Sequence, residues 1–184
     1  AWGVYEVSVQ ARLHACAPEA AREAEEEVEE GGEDADRERE RLVGLATLGR
    51  AQLSNAAALL LGRIEHCTTQ LRGYCELVAT QGAAAASAAG GSTANLASLH
   101  EQCDCLVRCA GHLLADEPTP GETLEPPPEA VLAAQGVAAA AGADGAAALM
   151  ASLPVSRLFE GVVGLLRLQL TAISSYETQP DASP

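Results

Sequence analysis

The chain has 184 residues, enough for one domain or about four helix pairs, and 48% of them are hydrophobic while only 3% are aromatic. Its formal net charge is −15, and every basic residue other than histidine is an arginine. These values exclude nucleic acid as the expected partner, because phosphate contacts need clustered cations. The sequence has no run of about 18 apolar residues, so it predicts no membrane-spanning helix.

The first predicted helix covers residues 1–17. Trp2, Tyr5, Val9 and Leu13 recur there at steps of three and four, which places them on one helical stripe. Pro18 then ends the helix.

An acidic stretch follows, and we expect residues 18–40 to form a flexible insertion. Residues 19–41 contain twelve acidic residues and four arginines, a net charge of −8 and more than half of the excess in the whole chain. A segment of this composition has little apolar surface to bury, so a hydrated loop is the simplest interpretation.

The middle of the chain predicts a helix pair over 41–81, with Ser54 and Asn55 capping its second helix. An Ala/Gly/Ser-rich linker is predicted over 82–94, followed by a helix over 95–116. The core-facing stripe of that helix recurs at steps of four, three, four and three: Leu99, Cys103, Leu106, Ala110 and Leu113.

The last third predicts a proline-rich turn over 117–128, a short helix and linker over 129–153, and a helix over 154–177. In the last helix we expect four side chains to face inward: Leu158, Val162, Leu165 and Leu166.

The predicted fold class is therefore all-α, and we expect residues 1–184 to be part of one α-solenoid of HEAT-like antiparallel helix pairs. Each such pair exposes an apolar face that only the next pair covers. Small alanine side chains suit closely packed helix rows. The same pattern is also compatible with a compact helical bundle.

One group of residues resembles a zinc site. Cys105, Cys109 and His112 lie at i, i+4 and i+7 on one helical face, with Cys103 nearby in sequence. Cys103 and Cys105 point about 200° apart on a helix, however, and cysteine also packs as a small hydrophobic residue. We therefore predict no metal site.

Other patterns give no catalytic chemistry. His66 and Cys67 are adjacent, and adjacent helical residues do not face each other. The Gly90–Thr93 segment lacks the lysine that follows in a phosphate-binding loop. The sequence predicts no enzyme and no cofactor.

Several motifs nevertheless share an order with a known family. They are Gly111–Glu117, Gly121–Thr123, Pro126–Glu129, Leu45–Arg50, Leu59-Leu60, Arg63, Leu71–Gly73, Gln81 and Val155–Leu158, with the Glu25–Glu40 run behind a helix like Val4–Ala15. In this order they resemble the exportins, nuclear transport receptors of the importin-β superfamily built from HEAT repeats.

The resemblance implies a central portion of a longer receptor that shuttles between nucleus and cytoplasm. Such a receptor binds Ran-GTP, through repeats outside this chain, together with protein cargo such as the hypusine-bearing translation initiation factor, and it meets nuclear pore proteins. We expect an acidic loop to steer basic cargo by long-range attraction, through Glu25, Glu26, Glu27, Glu29 and Glu30.

Two other interpretations remain at this point. One is a helical-repeat scaffold, or protein-interaction module, unrelated to transport. The other is a small zinc-dependent protein that uses Cys105, Cys109 and His112.

Overall fold

A computed structural model describes residues 2–16, 33–81, 93–115 and 153–177, with eight further positions between 128 and 139. Five long helices lie in these ranges: α1 (Trp2–Ala15), α2 (Glu33–Arg50), α3 (Leu53–Gln81), α4 (Thr93–Leu114) and α5 (Pro154–Glu177). The eight positions between 128 and 139 are helical as well, and no described residue lies in a β-strand. The predicted all-α class is confirmed for the described residues.

The acidic insertion predicted over 18–40 is wrong in its last part, because α2 already begins at Glu33. Glu and Arg are strong helix formers, and Glu38, Glu40 and Arg41 continue directly into the apolar part of α2. Glu38 also pairs with Arg12 of α1, so α2 has a tertiary partner before its first leucine. The predicted turn over 117–128 and the predicted linkers over 82–94 and 129–153 lie mostly outside the described residues.

The junction between α2 and α3 is a tight turn at Ala51 and Gln52. The Gln52 backbone carbonyl accepts hydrogen bonds from the amides of Asn55 and Ala56, both at 3.0 Å. The Asn55 side-chain amide donates to the Gln52 side-chain oxygen at 2.9 Å. The predicted cap at Ser54 and Asn55 is therefore wrong, because α3 begins at Leu53 and Gln52 is the residue that precedes it.

The core consists of one cluster to which all five helices contribute. The predicted α4 stripe is confirmed: Leu99, Cys103, Leu106, Ala110 and Leu113 are all buried. Of the predicted α1 stripe, Tyr5 and Val9 are buried, and Trp2 and Leu13 are half-buried at its edge.

The inward face of α5 differs from its prediction at one residue. Leu158 and Leu165 are fully buried and Val162 packs half-buried against the core, but Leu166 is 41% exposed. Adjacent residues on a helix point about 100° apart, so a helix that buries Leu165 turns Leu166 toward solvent. Gly161 lies on the buried side, where an added Cβ atom would lie 3.0 Å from Leu61 Cδ1 of α3.

In the arrangement of the helices, α4 packs against each of the other four, and α5 lies mainly along α3. A small helical bundle and two or three stacked helix pairs both allow this packing. None of the described helices is long and apolar enough to cross a membrane.

Candidate functional site

The acidic residues expected to steer cargo, Glu25, Glu26, Glu27, Glu29 and Glu30, lie outside the described residues. The structure describes the end of the acidic run, where Glu38 forms a bidentate ion pair with Arg12 of α1. Arg12 Nη1 donates to Glu38 Oε2 at 3.2 Å, and Arg12 Nη2 donates to Glu38 Oε1. This ion pair ties α2 to α1 beside a group of three cysteines.

That group, here called the thiol cluster, consists of Cys16, Cys105 and Cys109. Cys16 follows the last residue of α1, and the other two lie one turn apart on α4. Both Cys16 and Cys109 affect the pKa of Cys105, which makes the three thiols electrostatic neighbours. The sequence pattern grouped Cys105 and Cys109 with His112, and the structure adds Cys16, which affects the pKa of both cysteines.

Two observations concern His112 and metal binding. The backbone carbonyl of His112 accepts a hydrogen bond from Arg50 Nη2 at 2.5 Å, at the end of α4. Among the described residues, no group of three histidine, cysteine or acidic side chains has an arrangement that could hold a metal ion. The zinc interpretation therefore has no geometric support in this part of the chain.

The three thiols of the cluster have different acidities. Burial, together with the neighbouring Cys105, raises the pKa of Cys16 to about 11. The Cys109 thiol and burial both raise the pKa of Cys105. The Cys105 thiol, with help from Arg12, holds the pKa of Cys109 below its usual value.

A second pair of thiols joins α3 to α4. Cys67 and Cys103 are 3% and 0% exposed, and each thiol affects the pKa of the other. The Cys103 thiol lowers the pKa of Cys67, while the Cys67 thiol raises the pKa of Cys103. His66 is exposed, so Cys67 has Cys103 as its neighbour rather than the adjacent imidazole.

A surface suited to macromolecular contact lies on α5. Phe159, Leu166 and Leu170 are 62%, 41% and 68% exposed. They occur at i, i+7 and i+11, which places them on one face of the helix, and we call them the α5 stripe. Large apolar side chains grouped in this way mark contact surfaces more often than single exposed ones do.

Sequence reasoning missed both the α5 stripe and the place of Cys16. The spacing of the stripe is visible in the sequence, but Leu166 was assigned to the buried stripe of Leu158 and Leu165. Cys16 and Cys105 are far apart in sequence, and no local pattern connects them. Only the packing of α1 on α4 brings the two thiols near enough to affect each other's pKa.

Comparisons with protein-family models, with curated proteins and with solved structures found no match to this chain.

Proposed function

We propose that this chain is a central helical-repeat portion of a nuclear export receptor similar to exportin-4, which binds protein cargo together with Ran-GTP and carries it through the nuclear pore. It acts by binding and flexing, without a catalytic site, and the receptor shuttles between nucleus and cytoplasm. The co-linear motifs from Leu45–Arg50 through Gly111–Glu117 to Val155–Leu158 are the observation that carries the proposal.

The structure supports this proposal in two ways. The described residues form helices that pack as neighbours, as a HEAT-repeat segment requires. The α5 stripe leaves an apolar helix face uncovered, which is the face that a following repeat would cover in an open stack.

Two of the motif segments also take part in one contact. Arg50, the last residue of the Leu45–Arg50 motif, donates to the carbonyl of His112 in the Gly111–Glu117 motif at 2.5 Å. This contact joins the end of α2 to the end of α4.

The decisive experiment is a pulldown with the receptor that contains this chain. Bead-bound Ran locked in its GTP state should retain the receptor, and Ran in its GDP state should not. A scaffold unrelated to transport would bind neither form. Equal retention by both forms, or retention by neither, would remove the transport assignment.

Cargo steering is tested separately by changing Glu25, Glu26, Glu27, Glu29 and Glu30 to Gln. If the acidic run attracts basic cargo, the association rate falls in this variant at low salt, and the difference shrinks over about 50 to 300 mM salt as charges are screened. Rates that are equal for both proteins across this range would end the steering hypothesis while leaving Ran binding untouched.

A further inference from the structure

The α5 stripe has the spacing of a coiled-coil contact once Val163 is added to it. Phe159, Val163, Leu166 and Leu170 follow one another at steps of four, three and four residues, and we call these four residues the α5 seam. Two helices pack together when apolar side chains recur in this way, at the a and d positions of a heptad. Val163 is half-buried and the other three are exposed, so no other described helix covers the seam.

The α5 seam and the core lie on different sides of α5. Leu158 and Leu165 are fully buried, and each precedes an exposed seam residue by one position, which is about 100° around the helix. The helix that lies mainly along α5 is α3. A further helix along the seam would therefore leave the packing of α5 on α3 in place.

Two opposite charges border the α5 seam on one side. Glu160 follows Phe159 and Arg167 follows Leu166, so both occupy e positions when Phe159 and Leu166 occupy d positions. Both residues are exposed, and neither forms an ion pair with another described residue. Charges at such positions set the orientation of the partner helix.

The order of these two charges fits two copies of α5 in an antiparallel pair. In an antiparallel pair the e positions of one helix face the e positions of the other, so Glu160 of each copy faces Arg167 of the other. In a parallel pair the e positions face g positions, which are Val162 and Gln169 and carry no charge. The surface is therefore complementary to itself about a two-fold axis, as the contact of a symmetric dimer must be.

We propose that the α5 seam is a contact between two copies of this chain, which pair antiparallel along α5 with two ion pairs between Glu160 and Arg167. The seam extends over about three helical turns, so the dimer is a weak one. The inference does not rest on the transport function. A following repeat of a longer chain is the alternative occupant of the same face, and the experiment separates the two.

Sedimentation equilibrium of the full chain tests self-association. Over roughly 5–500 µM the parent should change from monomer toward dimer, as expected for a small contact. A parent that stays monomeric over this range would overturn the proposal and leave the face to a following repeat. The pulldown with Ran is a separate measurement, so either result leaves the transport proposal to its own test.

Charge exchange tests the arrangement of the dimer. Glu160→Arg and Arg167→Glu each replace both attractive pairs by pairs of like charge, so each should raise the dissociation constant roughly tenfold. The first variant makes the chain less negative and the second makes it more negative. An effect of net charge alone would therefore change the two dissociation constants in opposite directions.

An equimolar mixture of the two variants provides the sharpest comparison. In the mixed dimer an arginine faces a glutamate in both pairs, so the mixture should associate about as tightly as the parent. Recovery of association would also show that both variants are folded. A mixture that associates no more tightly than either variant alone would contradict the antiparallel arrangement.

Two further variants complete the experiment. Glu76→Arg, at an exposed position of α3, makes the same change of charge as Glu160→Arg and should associate like the parent. Leu170→Gln removes a 68% exposed apolar side chain from the α5 seam and should weaken association. Dissociation constants that stay unchanged in Leu170→Gln, or that rise equally in Glu76→Arg and Glu160→Arg, would overturn the proposal.

Discussion

The guanidinium group of Arg50, at the end of α2, closes the carboxyl end of α4 by donating from Nη2 to the Ala115 carbonyl oxygen at 2.9 Å. The same group donates to the carbonyl oxygens of His112 at 2.5 Å and Leu113 at 3.3 Å. The last carbonyls of a helix have no partner within it, and the helix dipole places partial negative charge there. One side chain therefore satisfies three acceptors and joins two helices.

Replacing Arg50 by Met keeps the apolar stem and removes the donors. We expect the free energy of unfolding to fall by about 1.5–3 kcal/mol, because hydrogen bonds from a charged donor are lost at partly buried carbonyls. Urea unfolding followed by circular dichroism measures the change. Arg72→Met, at an exposed position of α3, is the control and should stay within about 0.5 kcal/mol. An Arg50 variant as stable as this control would show that water replaces the cap.

Gly49 provides a test of close packing beside that cap. A Cβ atom at this position would lie 2.7 Å from Tyr5 Cε2 and 2.9 Å from Leu113 Cδ1. Gly49→Ala should therefore lower the free energy of unfolding by about 1–3 kcal/mol, although alanine favours helix. Gly44→Ala in the same helix meets no atom within 4 Å and should be neutral or stabilise by about 0.5–1 kcal/mol. Thermal unfolding of both variants gives the comparison, and a stabilised Gly49→Ala protein would contradict the packing.

Leu165 and Leu166 distinguish the two faces of α5 with neighbouring residues of one type. Leu165 is fully buried and Leu166 is 41% exposed. Leu165→Ala should cost about 2–5 kcal/mol, because it removes buried methyl groups and leaves a cavity. Leu166→Ala should change the stability of this chain by about 0.5 kcal/mol or less. Chemical denaturation of the two variants measures the difference, and equal losses would mean that both faces are buried in solution.

Tyr5 gives a prediction for alkaline pH. Burial raises the pKa of its phenol, and the hydroxyl has no hydrogen-bond partner among the described residues. The neutral phenol is therefore favoured in the folded state. Its contribution to the free energy of unfolding is fully present below the unfolded pKa of about 10 and is lost as pH rises above that value. Cys16, with its pKa raised to about 11, adds a loss that begins near its usual pKa of about 9.

The variant Tyr5→Phe separates these effects. At pH 7 its free energy of unfolding should lie between that of the parent and a value about 1 kcal/mol higher, because an unpaired buried hydroxyl is removed. Its stability should also fall less steeply above pH 10, as measured by urea unfolding at a series of pH values. Tyr74→Phe, at a half-buried tyrosine of α3, serves as the control. A parent and a Tyr5→Phe protein with identical alkaline profiles would show that the phenol ionises without loss of packing.

Much of the fold could be predicted from helical periodicity. The stripe from Leu99 to Leu113 recurs at steps of three and four, and every member is buried. The start of α2 was missed because charge density suggested a loop, while the strong helix propensity of Glu and Arg continued the helix back to Glu33.

The candidate sites were less predictable, because they depend on residues far apart in the chain. The spacing of Cys105 and Cys109 placed both on one face of α4, but nothing in it pointed to Cys16. Likewise, the motif that ends at Arg50 gave no sign that its guanidinium reaches the end of another helix.

The sequence by itself determined that this protein is helical and which residues share a helix face, because both follow from a local repeat of 3.6 residues. Only the tertiary structure decided which face is buried where a helix has two apolar ones. On α5, Leu158 and Leu165 are covered by other helices while Phe159, Leu166 and Leu170 are not. The same holds for the contact of Arg50 with the Ala115 carbonyl oxygen, since it depends on the packing of whole helices rather than on the order of their residues.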